Sequence, residues 1–451
     1  MNGNDDSRYY VAVIGAGPAG LFAARQLADR NVHTILLNRD IKPGGLAEYG
    51  IYPTKIRMKE GLRNQFRQIL ALNEIEYFGN VTVGQQGDVS LEELRAMGFQ
   101  ALVVTVGAQS NKHLGLPGED LTGVYHAKDI VYHYNLLPPF SEWTYQIGKH
   151  VAVIGVGNVM MDISHWLIEE KKVEEVIAVA RRGPLEVKFD KKELENVVGY
   201  LDQEDLSQEL ERVRPVMEAI GQEPSDFLKL IQQAAAKAAP VGGNTRFRMR
   251  FLSSPVQMTA DDQGRVNCMD VEENTLLLGE DGEVRARGTG IYQSLKVDTV
   301  IFAIGDEVDH TIGLPIQAGE FVKNPQPRFP VDGISYEAFD PSTGQVIPDV
   351  FLAGWARRPS TGLVGVARKD ATNASEAVLE YLQTVPPTDA PVPQRLHERL
   401  AGLGHAVVDK MALLQLEELE RERARAIQQE TFKYGSNQAM LEILGLVPSE
   451  R

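Results

Sequence analysis

Two segments of the chain repeat one pattern of apolar and polar positions. Each has a short apolar run, then glycines, then apolar residues at helical spacing: "VAVIGAGPAGLFAARQL" from Val11 and "VAVIGVGNVMMDISHWL" from Val151. A short apolar run is typical of a strand buried in a parallel sheet, and the spacing after it is typical of a helix. The pattern predicts two units in which a strand passes through a glycine-rich turn into a helix.

The first turn has the spacing of a dinucleotide-binding site. Gly15, Gly17 and Gly20 follow the G-x-G-x-x-G pattern, with Pro18 and Ala19 between the last two. The first glycine permits the tight turn, the second lets a pyrophosphate approach the backbone, and the third lets the helix pack closely on its strand. Free N–H groups and the dipole at the helix start favour the anion. A plain strand-to-helix link is the alternative, because glycine-rich turns also serve that role.

The next apolar strand, His33 to Leu37, leads to the polar Asn38. A dinucleotide site usually has a carboxylate on the ribose at this position. An amide can bond a ribose hydroxyl but supplies no charge, so Asn38 is predicted as a weaker contact of the same kind.

The second turn predicts a different nucleotide. Gly155 and Gly157 keep the first two glycine positions, whereas Met160 takes the third, so we expect this helix to lie farther from its strand. Arg181 and Arg182 follow the next apolar strand, about twenty residues past the glycines, where a ribose would lie. Paired guanidinium groups suit a 2′-phosphate, which predicts NADPH rather than NADH. A solvated surface pair is the alternative.

Two such sites in one chain suggest FAD as the partner of NADPH, a pair that converts two-electron into one-electron chemistry. The 451 residues suffice for two or three domains, and 43% hydrophobic and 24% charged residues are ordinary for a globular protein. No apolar run has membrane-spanning length, and the start "MNGNDDSRYY" is too polar for a signal peptide. We therefore expect no membrane partner and a cytoplasmic location.

Cysteine content narrows the flavin chemistry. The single cysteine, Cys268, can form neither an intrachain redox disulfide nor an iron–sulfur cluster, which generally needs four thiolates. Electrons must therefore leave to a separate acceptor, and no metal site is predicted.

The net charge of −16 argues against a nucleic-acid partner. An acidic carrier protein would need a local basic patch on this chain. Two clusters qualify, although charge runs are often only solvated helix faces. They are Lys55, Arg57, Lys59, Arg63 and Arg67, and Arg357, Arg358, Arg368 and Lys369.

The fold is predicted as α/β, with two Rossmann-like dinucleotide-binding domains and the NADP domain inserted into the FAD domain. The first part of the FAD domain covers 1–107 and ends in an apolar strand at Gly107; the NADP domain covers 108–297. Within it, 201–239 reads as amphipathic helices, followed by a small antiparallel meander, "RMRFLSSPVQM", "RVNCMDVEENTLL" and "EVRARGTGIYQSL". A buried strand, 297–304, returns the chain to the first unit, and 298–451 completes the FAD domain with a helical C-terminal tail.

The segment "IPDVFLAGWARRPSTGLVGVARKDATNASEAVLEYL" predicts a strand, a loop and a helix. N–H groups at the helix start near Gly362 are placed to stabilise negative charge on a reduced flavin. Trp355 would pack against the isoalloxazine ring, and an ordinary core position is the alternative.

Taken together, these motifs resemble the adrenodoxin reductase and bacterial ferredoxin–NADP⁺ reductase family, part of the wider group that includes the glutamate synthase small subunit. The likeness is nearly full length and keeps the family's order: "VIGAGPAG", "TVGAQSNKHLGLPGEDL", "VIGVGNVMMD", "ARRGPLEVKFDKKEL", "GWARRPSTG" and "FKYGSNQAMLEILG".

The resemblance implies an enzyme that passes a hydride from NADPH to FAD and then electrons to ferredoxin or flavodoxin. It places Glu193 close to the nicotinamide, and we assign Glu193 and Trp355 to the catalytic site. The remaining implied contacts are to the two cofactors. Those to FAD are Gly15, Gly17, Pro18, Ala19, Gly20, Asn38, Gly45, Leu46, Val83, Gly107, Gly354, Trp355, Gly362, Leu363 and Val364. Those to NADPH are Gly157, Asn158, Val159, Arg181 and Arg182.

Three departures from the family pattern affect these predictions. Asn38 replaces the ribose carboxylate, Met160 replaces a small residue, and Thr54 and Lys55 stand where adrenodoxin-type members have a histidine near the flavin. The last is similar to the glutamate synthase branch, so the acceptor stays open. Two other functions remain: a flavin-containing subunit or redox-sensing interaction protein, suggested by the tail "LLQLEELERERARAIQQ", and an NADPH-dependent reductase of a quinone or small molecule.

Overall fold

A computed structural model describes residues 8–238 and 241–448, which fall into two compact units. The first unit takes in the described residues of 1–112, 132–142 and 305–451, and the second those of 113–131 and 143–304. The second unit is therefore inserted into the first, as the sequence predicts. The insertion begins at 113 and ends at 304 rather than at the predicted 108 and 297, and 132–142 belong to the first unit.

The helices of the described residues are, in chain order, α1 Pro18–Ala28, α2 Leu46–Tyr49, α3 Ile56–Leu70, α4 Leu91–Met97, α5 Ala127–Tyr134, α6 Asn158–Trp166, α7 Lys191–Leu194, α8 Gln203–Glu218, α9 Pro224–Ala235, α10 Val364–Leu382, α11 Val392–Ala401, α12 Lys410–Ala426 and α13 Asn437–Ile443. The predicted helical stretch 201–239 corresponds to α8 and α9, and Ala239 lies outside the described residues.

The strands are β1 Tyr10–Ile14, β2 His33–Asn38, β3 Ile75–Gly79, β4 Ala101–Val104, β5 Ser110–Asn111, β6 Val124–His126, β7 His150–Ile154, β8 Glu175–Val179, β9 Arg246–Arg250, β10 Ser253–Ala260, β11 Val266–Leu278, β12 Val284–Lys296, β13 Thr299–Phe302, β14 Asp306–Glu307, β15 Ile316–Gln317, β16 Glu320–Phe321, β17 Glu337–Asp340, β18 Gln345–Leu352 and β19 Val408–Asp409.

The first unit is built on a seven-stranded sheet in the order β17-β18-β4-β1-β2-β3-β19. Its five inner strands are parallel, and β17 and β19 are antiparallel edges. Residues 11–14 of β1 are almost completely buried, because helices cover both faces of the sheet. Apolar side chains of α1, α3, α10 and α12 form the core on one face, and those of α4 and α11 form the core on the other.

The second unit contains a parallel five-stranded sheet in the order β6-β13-β7-β8-β9. The antiparallel meander β10-β11-β12 shares its core, through Met258, Met269 and Val271. Its turns lie at Gly264 and Gly282, both in the left-handed region that favours glycine.

Two strands that the sequence predicts lie in a different sheet from the predicted one. Residues 246–250, whose end "RMR" was assigned to the meander, form β9 of the parallel sheet, and the meander begins at Ser253. The strand predicted to return the chain to the first unit is β13, which is hydrogen-bonded between β6 and β7 of the second unit. A buried or alternating strand pattern does not specify which sheet it joins.

The C-terminal tail is part of the first unit's core. Leu413 and Leu416 of α12 are buried, and Glu420 forms an ion pair with the equally buried Lys42. Across residues 8–238 and 241–448, every helix is too short or too polar to cross a lipid bilayer.

Candidate cofactor sites

The turn between β1 and α1 uses two of its glycines for the fold itself. Gly15 has a φ of +101°, and a Cβ there would lie 2.8 Å from the carbonyl oxygen of Thr105. A Cβ on Gly20 would overlap the carbonyl oxygen of Gly15. Thr105 also donates its hydroxyl to that carbonyl at 2.7 Å. These two glycines are therefore required whether or not a ligand binds.

Gly17 has no such requirement. Its φ of −73° suits any residue, and the nearest atom to a Cβ built there is the Gly45 Cα, 4.0 Å away. The space above Gly17 is thus left open by the surrounding protein. It lies at the N-terminus of α1, where backbone N–H groups favour an anion, and it fits a pyrophosphate.

Other predicted FAD contacts lie beside this turn. Gly45, with a φ of +47°, approaches so closely that a Cβ would lie 3.0 Å from the Gly17 Cα. It precedes α2, which begins at Leu46. Val83 is buried next to its bridge partner Val89, and Gly107, with a φ of +74°, follows β4. These placements agree with one elongated site along the ends of the parallel strands.

Most of the hydrogen-bonding capacity of the Asn38 side chain is used by contacts within the protein. Its Oδ1 accepts the N–H of Ala16 at 2.9 Å, and its Nδ2 donates to the carbonyls of Asp40 at 2.7 Å and Lys42 at 3.1 Å. Both amide hydrogens are thereby used, and the second lone pair of Oδ1 is the capacity left for a ribose hydroxyl. The replacement of a carboxylate therefore has a structural role, and the predicted ribose contact stays a prediction.

The C-terminal motif "GWARRPSTG" contacts the start of α1. A Cβ on Gly354, whose φ is +65°, would lie 2.6 Å from the Ala19 Cβ. The Gly354 N–H donates to Asp370 at 2.7 Å, and the Asp370 carboxylate also binds Arg357. Asp370 thus anchors this loop, a role that the sequence analysis missed. Trp355 is half-buried and donates its indole N–H to the Thr361 carbonyl at 3.0 Å, which fixes its ring.

The start of α10 exposes apolar surface. Leu363 is 70% exposed and Val366 51%, next to Gly362 with a φ of +74° and Val364, the first helical residue. Isolated apolar side chains at a surface are common, but here they flank the positive end of a 19-residue helix. An apolar ring that gains negative charge fits this combination.

The turn between β7 and α6 repeats the first one. Gly155 has a φ of +133°, and a Cβ there would overlap the Ala303 carbonyl, whereas a Cβ on Gly157 would meet no atom within 4 Å. Met160 is fully buried at the third position. The second glycine is again the one that the protein itself does not need, which fits a second pyrophosphate.

A side-chain clamp, formed by two hydrogen bonds between Asn158 and Asp190, holds the segment before Glu193 near this turn. Glu193 is the residue predicted to lie close to the nicotinamide. Asn158 donates to the Asp190 carboxylate at 2.8 Å and accepts the Asp190 N–H at 2.7 Å. Asp190 precedes α7, which carries Glu193. These two bonds use one hydrogen and one lone pair of the Asn158 amide, so its predicted pyrophosphate contact would use the backbone N–H or the second amide hydrogen. Val159, beside it, is 43% exposed.

The two predicted phosphate-binding arginines directly follow the end of β8. Arg181 is exposed and Arg182 is half-buried, with its Nη1 donating to the Val284 carbonyl at 3.4 Å. This end of the sheet also carries the turn at Gly157, since β7 and β8 are parallel neighbours. The arrangement brings the glycine turn and the arginine pair to one edge.

Three of the five cations in the first basic cluster are engaged within the protein, whereas Arg57 is exposed, and the predicted docking patch stays a prediction. Arg63 forms two 2.7 Å bonds to Glu48, and Arg67 pairs with Glu417 at 2.6 Å. Lys59 is buried and donates to Asn135 at 2.5 Å. In the second cluster, Arg357 is buried, and Arg358, Arg368 and Lys369 are exposed.

The buried Lys59 predicts a pH-dependent stability. Burial and the nearby cation of Lys433 lower the pKa of Lys59 from 10.5 to about 7. Between these values the unfolded chain binds more protons than the folded one, so this lysine makes stability rise with pH. We expect the melting temperature of the wild type to rise relative to Lys59→Met between pH 7 and pH 10, measured by calorimetry. Lys237→Met, at an exposed lysine, should follow the wild type; parallel curves for wild type and Lys59→Met would contradict the prediction.

Comparison with known proteins covers nearly the whole chain. Residues 9–237 match the family described as pyridine nucleotide-disulphide oxidoreductase. The NADPH-ferredoxin reductase FprA of Mycobacterium leprae is 29% identical over 405 residues, covering 83% of this chain and 84% of that protein. The mitochondrial NADPH:adrenodoxin oxidoreductase of Salvelinus fontinalis is 30% identical over 406 residues, covering 82% and 77%. The solved structure of Mycobacterium tuberculosis FprA in complex with NADPH superimposes with a TM-score of 0.79 at 25% identity, over 97% of this chain and 99% of that chain.

Proposed function

The chain belongs to the pyridine nucleotide-disulphide oxidoreductase family, and we propose from this that it is an FAD-dependent oxidoreductase that takes a hydride from NADPH and delivers electrons to a small carrier protein. The observation that carries the proposal is the pair of turns whose second glycines, Gly17 and Gly157, are not needed by the protein itself. An arginine pair follows only the second turn, which supports FAD in the first unit and NADPH in the inserted one.

Each set of residues has a binding role. When bound, FAD accepts two electrons at once and releases them singly. The turn at Gly17 holds its pyrophosphate, and the Asn38 oxygen accepts a ribose hydroxyl. The start of α10 supports the ring with its backbone N–H groups, and Gly157, Arg181 and Arg182 hold the phosphates of NADPH.

Glu193 and Trp355 orient the reacting rings rather than transfer protons. Hydride transfer chiefly requires the two rings to be aligned, and positioning alone contributes several kcal/mol. The fixed indole of Trp355 and the clamp that holds α7 through Asp190 support this assignment. Loss of flavin reduction in Glu193→Gln with unchanged NADPH binding would contradict it.

The acceptor is proposed to be ferredoxin or flavodoxin. The relatives are named as reductases of ferredoxin and adrenodoxin. Arg358, Arg368 and Lys369 are exposed around the start of α10 and would attract an acidic carrier despite the net charge of −16. A reductase of a quinone or small molecule would not need these cations.

The alternative of a subunit or interaction protein rested on the acidic tail. In the structure this tail is α12, whose apolar face is buried and whose Glu417 and Glu420 pair with Arg67 and Lys42. A helix so engaged within the first unit gives little support to a free interaction segment.

The function is tested on the isolated chain. We expect a yellow protein whose FAD is released on denaturation, because the turn at Gly17 would hold its pyrophosphate without a covalent bond. NADPH should bleach the flavin without air, and the protein should reduce ferricyanide, and then a ferredoxin or a flavodoxin, catalytically. A protein that stays colourless after addition of FAD, or is not reduced by NADPH, would overturn the proposal. Flavin reduction without turnover of any carrier would favour the alternatives.

A further inference from the structure

The backbone around the two arginines is held by the strands inserted after α9. The Ala180 carbonyl accepts the N–H of Ser253 at 2.8 Å, and the Arg182 carbonyl accepts the N–H of Leu252 at 3.1 Å. The regular ladder between β8 and β9 ends at Val179 and Arg250, and these two bonds hold the segment that follows β8 against residues 252 and 253. Between these two bonds lies the peptide that links Arg181 to Arg182, and its carbonyl is held differently.

A buried side chain holds that carbonyl. Asn274, on β11 and 93 residues away in sequence, donates its Nδ2 to the Arg181 carbonyl at 2.8 Å and to the Ser254 hydroxyl at 2.8 Å. Asn274 is 5% exposed, and its own N–H donates to the Leu252 carbonyl at 2.8 Å. An amide that donates both hydrogens to fixed acceptors in a buried site is a rigid support.

We propose that Asn274 is a positioning residue for 2′-phosphate recognition, because its amide fixes the peptide from which the side chains of Arg181 and Arg182 project. The inference rests on the proposed NADPH function. Bidentate bonds between guanidinium and phosphate depend strongly on geometry, so a peptide free to rotate loses part of them. A nucleotide without the 2′-phosphate does not use these bonds. Asn274 thus acts on the choice between NADPH and NADH without contacting either.

The test compares NADP⁺ and NAD⁺ binding to the FAD-loaded protein by isothermal titration calorimetry. Asn274→Ala should weaken NADP⁺ binding about five- to twentyfold, less than the loss of both charge-assisted bonds, because the guanidinium groups remain but are no longer held in place. The affinity for NAD⁺ should change less than about twofold, since its contacts do not involve the arginines. Asn274→Leu keeps the side-chain volume without the donor and should behave like Asn274→Ala. Ser254→Ala is the matched control: it removes the other acceptor of the same amide and should leave NADP⁺ binding unchanged.

Arg181→Ala separates this inference from the function on which it rests. If Arg181→Ala weakens NADP⁺ binding, then adding Asn274→Ala to it should have a smaller effect than in the wild type, because one of the two supported side chains is gone. Three outcomes would overturn the positioning role alone. They are an undiminished effect of Asn274→Ala in that background, equal losses of affinity for NAD⁺ and NADP⁺, and unchanged NADP⁺ binding in both Asn274 variants. No effect of Arg181→Ala would instead refute the proposed phosphate contact. The flavin spectrum and the melting temperature show whether a variant has lost its fold. If Asn274→Ala has lost it, the NADP⁺ affinity of Asn274→Leu tests the positioning role.

Discussion

Replacing Gly17 by valine is expected to abolish FAD binding and to leave the protein folded. A Cβ at Gly17 has a 4.0 Å clearance to the nearest protein atom, so the branched side chain fills the open space above the turn rather than a packed core. That space is the proposed path of the pyrophosphate. The purified variant should therefore be colourless, stay so after incubation with FAD, and show a circular dichroism spectrum like that of the wild type.

Gly157→Val is the matched control in the other turn. Its Cβ also meets no atom within 4 Å, so the fold should again persist. This variant should stay yellow but no longer be reduced by NADPH, whereas dithionite should still reduce its flavin. A yellow Gly17→Val variant, or loss of flavin from Gly157→Val, would contradict the assignment of the two cofactors to the two turns.

The double change Arg181→Ala and Arg182→Ala should collapse the preference for NADPH over NADH. Each charge-assisted bond to the 2′-phosphate is worth roughly 1.5–3 kcal/mol, so each loss should weaken NADPH about tenfold to a hundredfold. The two residues are changed together because both directly follow the end of β8. The change should fall on KM for NADPH rather than kcat, with the flavin spectrum intact.

NADH provides the internal control, since it lacks the phosphate and its KM should change little. Equal losses with both nucleotides would show that the arginines support the fold or the acceptor site. Unchanged kinetics would return them to the role of solvated surface residues.

The two nucleotide-binding units could be predicted because their signals are local. The strand, the glycine spacing and the helix lie within about twenty residues, and φ values at Gly15 and Gly155 follow from the turn. The resemblance to reductases of the adrenodoxin and ferredoxin type is confirmed by relatives that cover most of the chain. The motif gives the tight turn to Gly15 and the pyrophosphate approach to Gly17, but it does not show that Gly15 lies against the carbonyl of Thr105, 90 residues farther on.

The features that the sequence did not predict depend on contacts between residues far apart in the chain. The sequence does not show that two of the cations of α3, Arg63 and Arg67, form ion pairs with Glu48 and Glu417. Asn274 has no local signal, since its acceptor is 93 residues away. The strand β13 was assigned to the wrong unit because a buried apolar run fits either parallel sheet.

The long-range pairing of the first unit has a consequence for synthesis of the chain. Its inner strands β4 and β3 pair with β18 and β19, and Glu48 pairs with Lys433, which is 385 residues farther on. The inserted unit is complete once residue 304 has been made. During synthesis on the ribosome, the inserted unit can therefore fold before the first unit, although the first unit begins earlier in the chain. The early strands of the first unit keep unpaired edges until the last quarter of the polypeptide has been made.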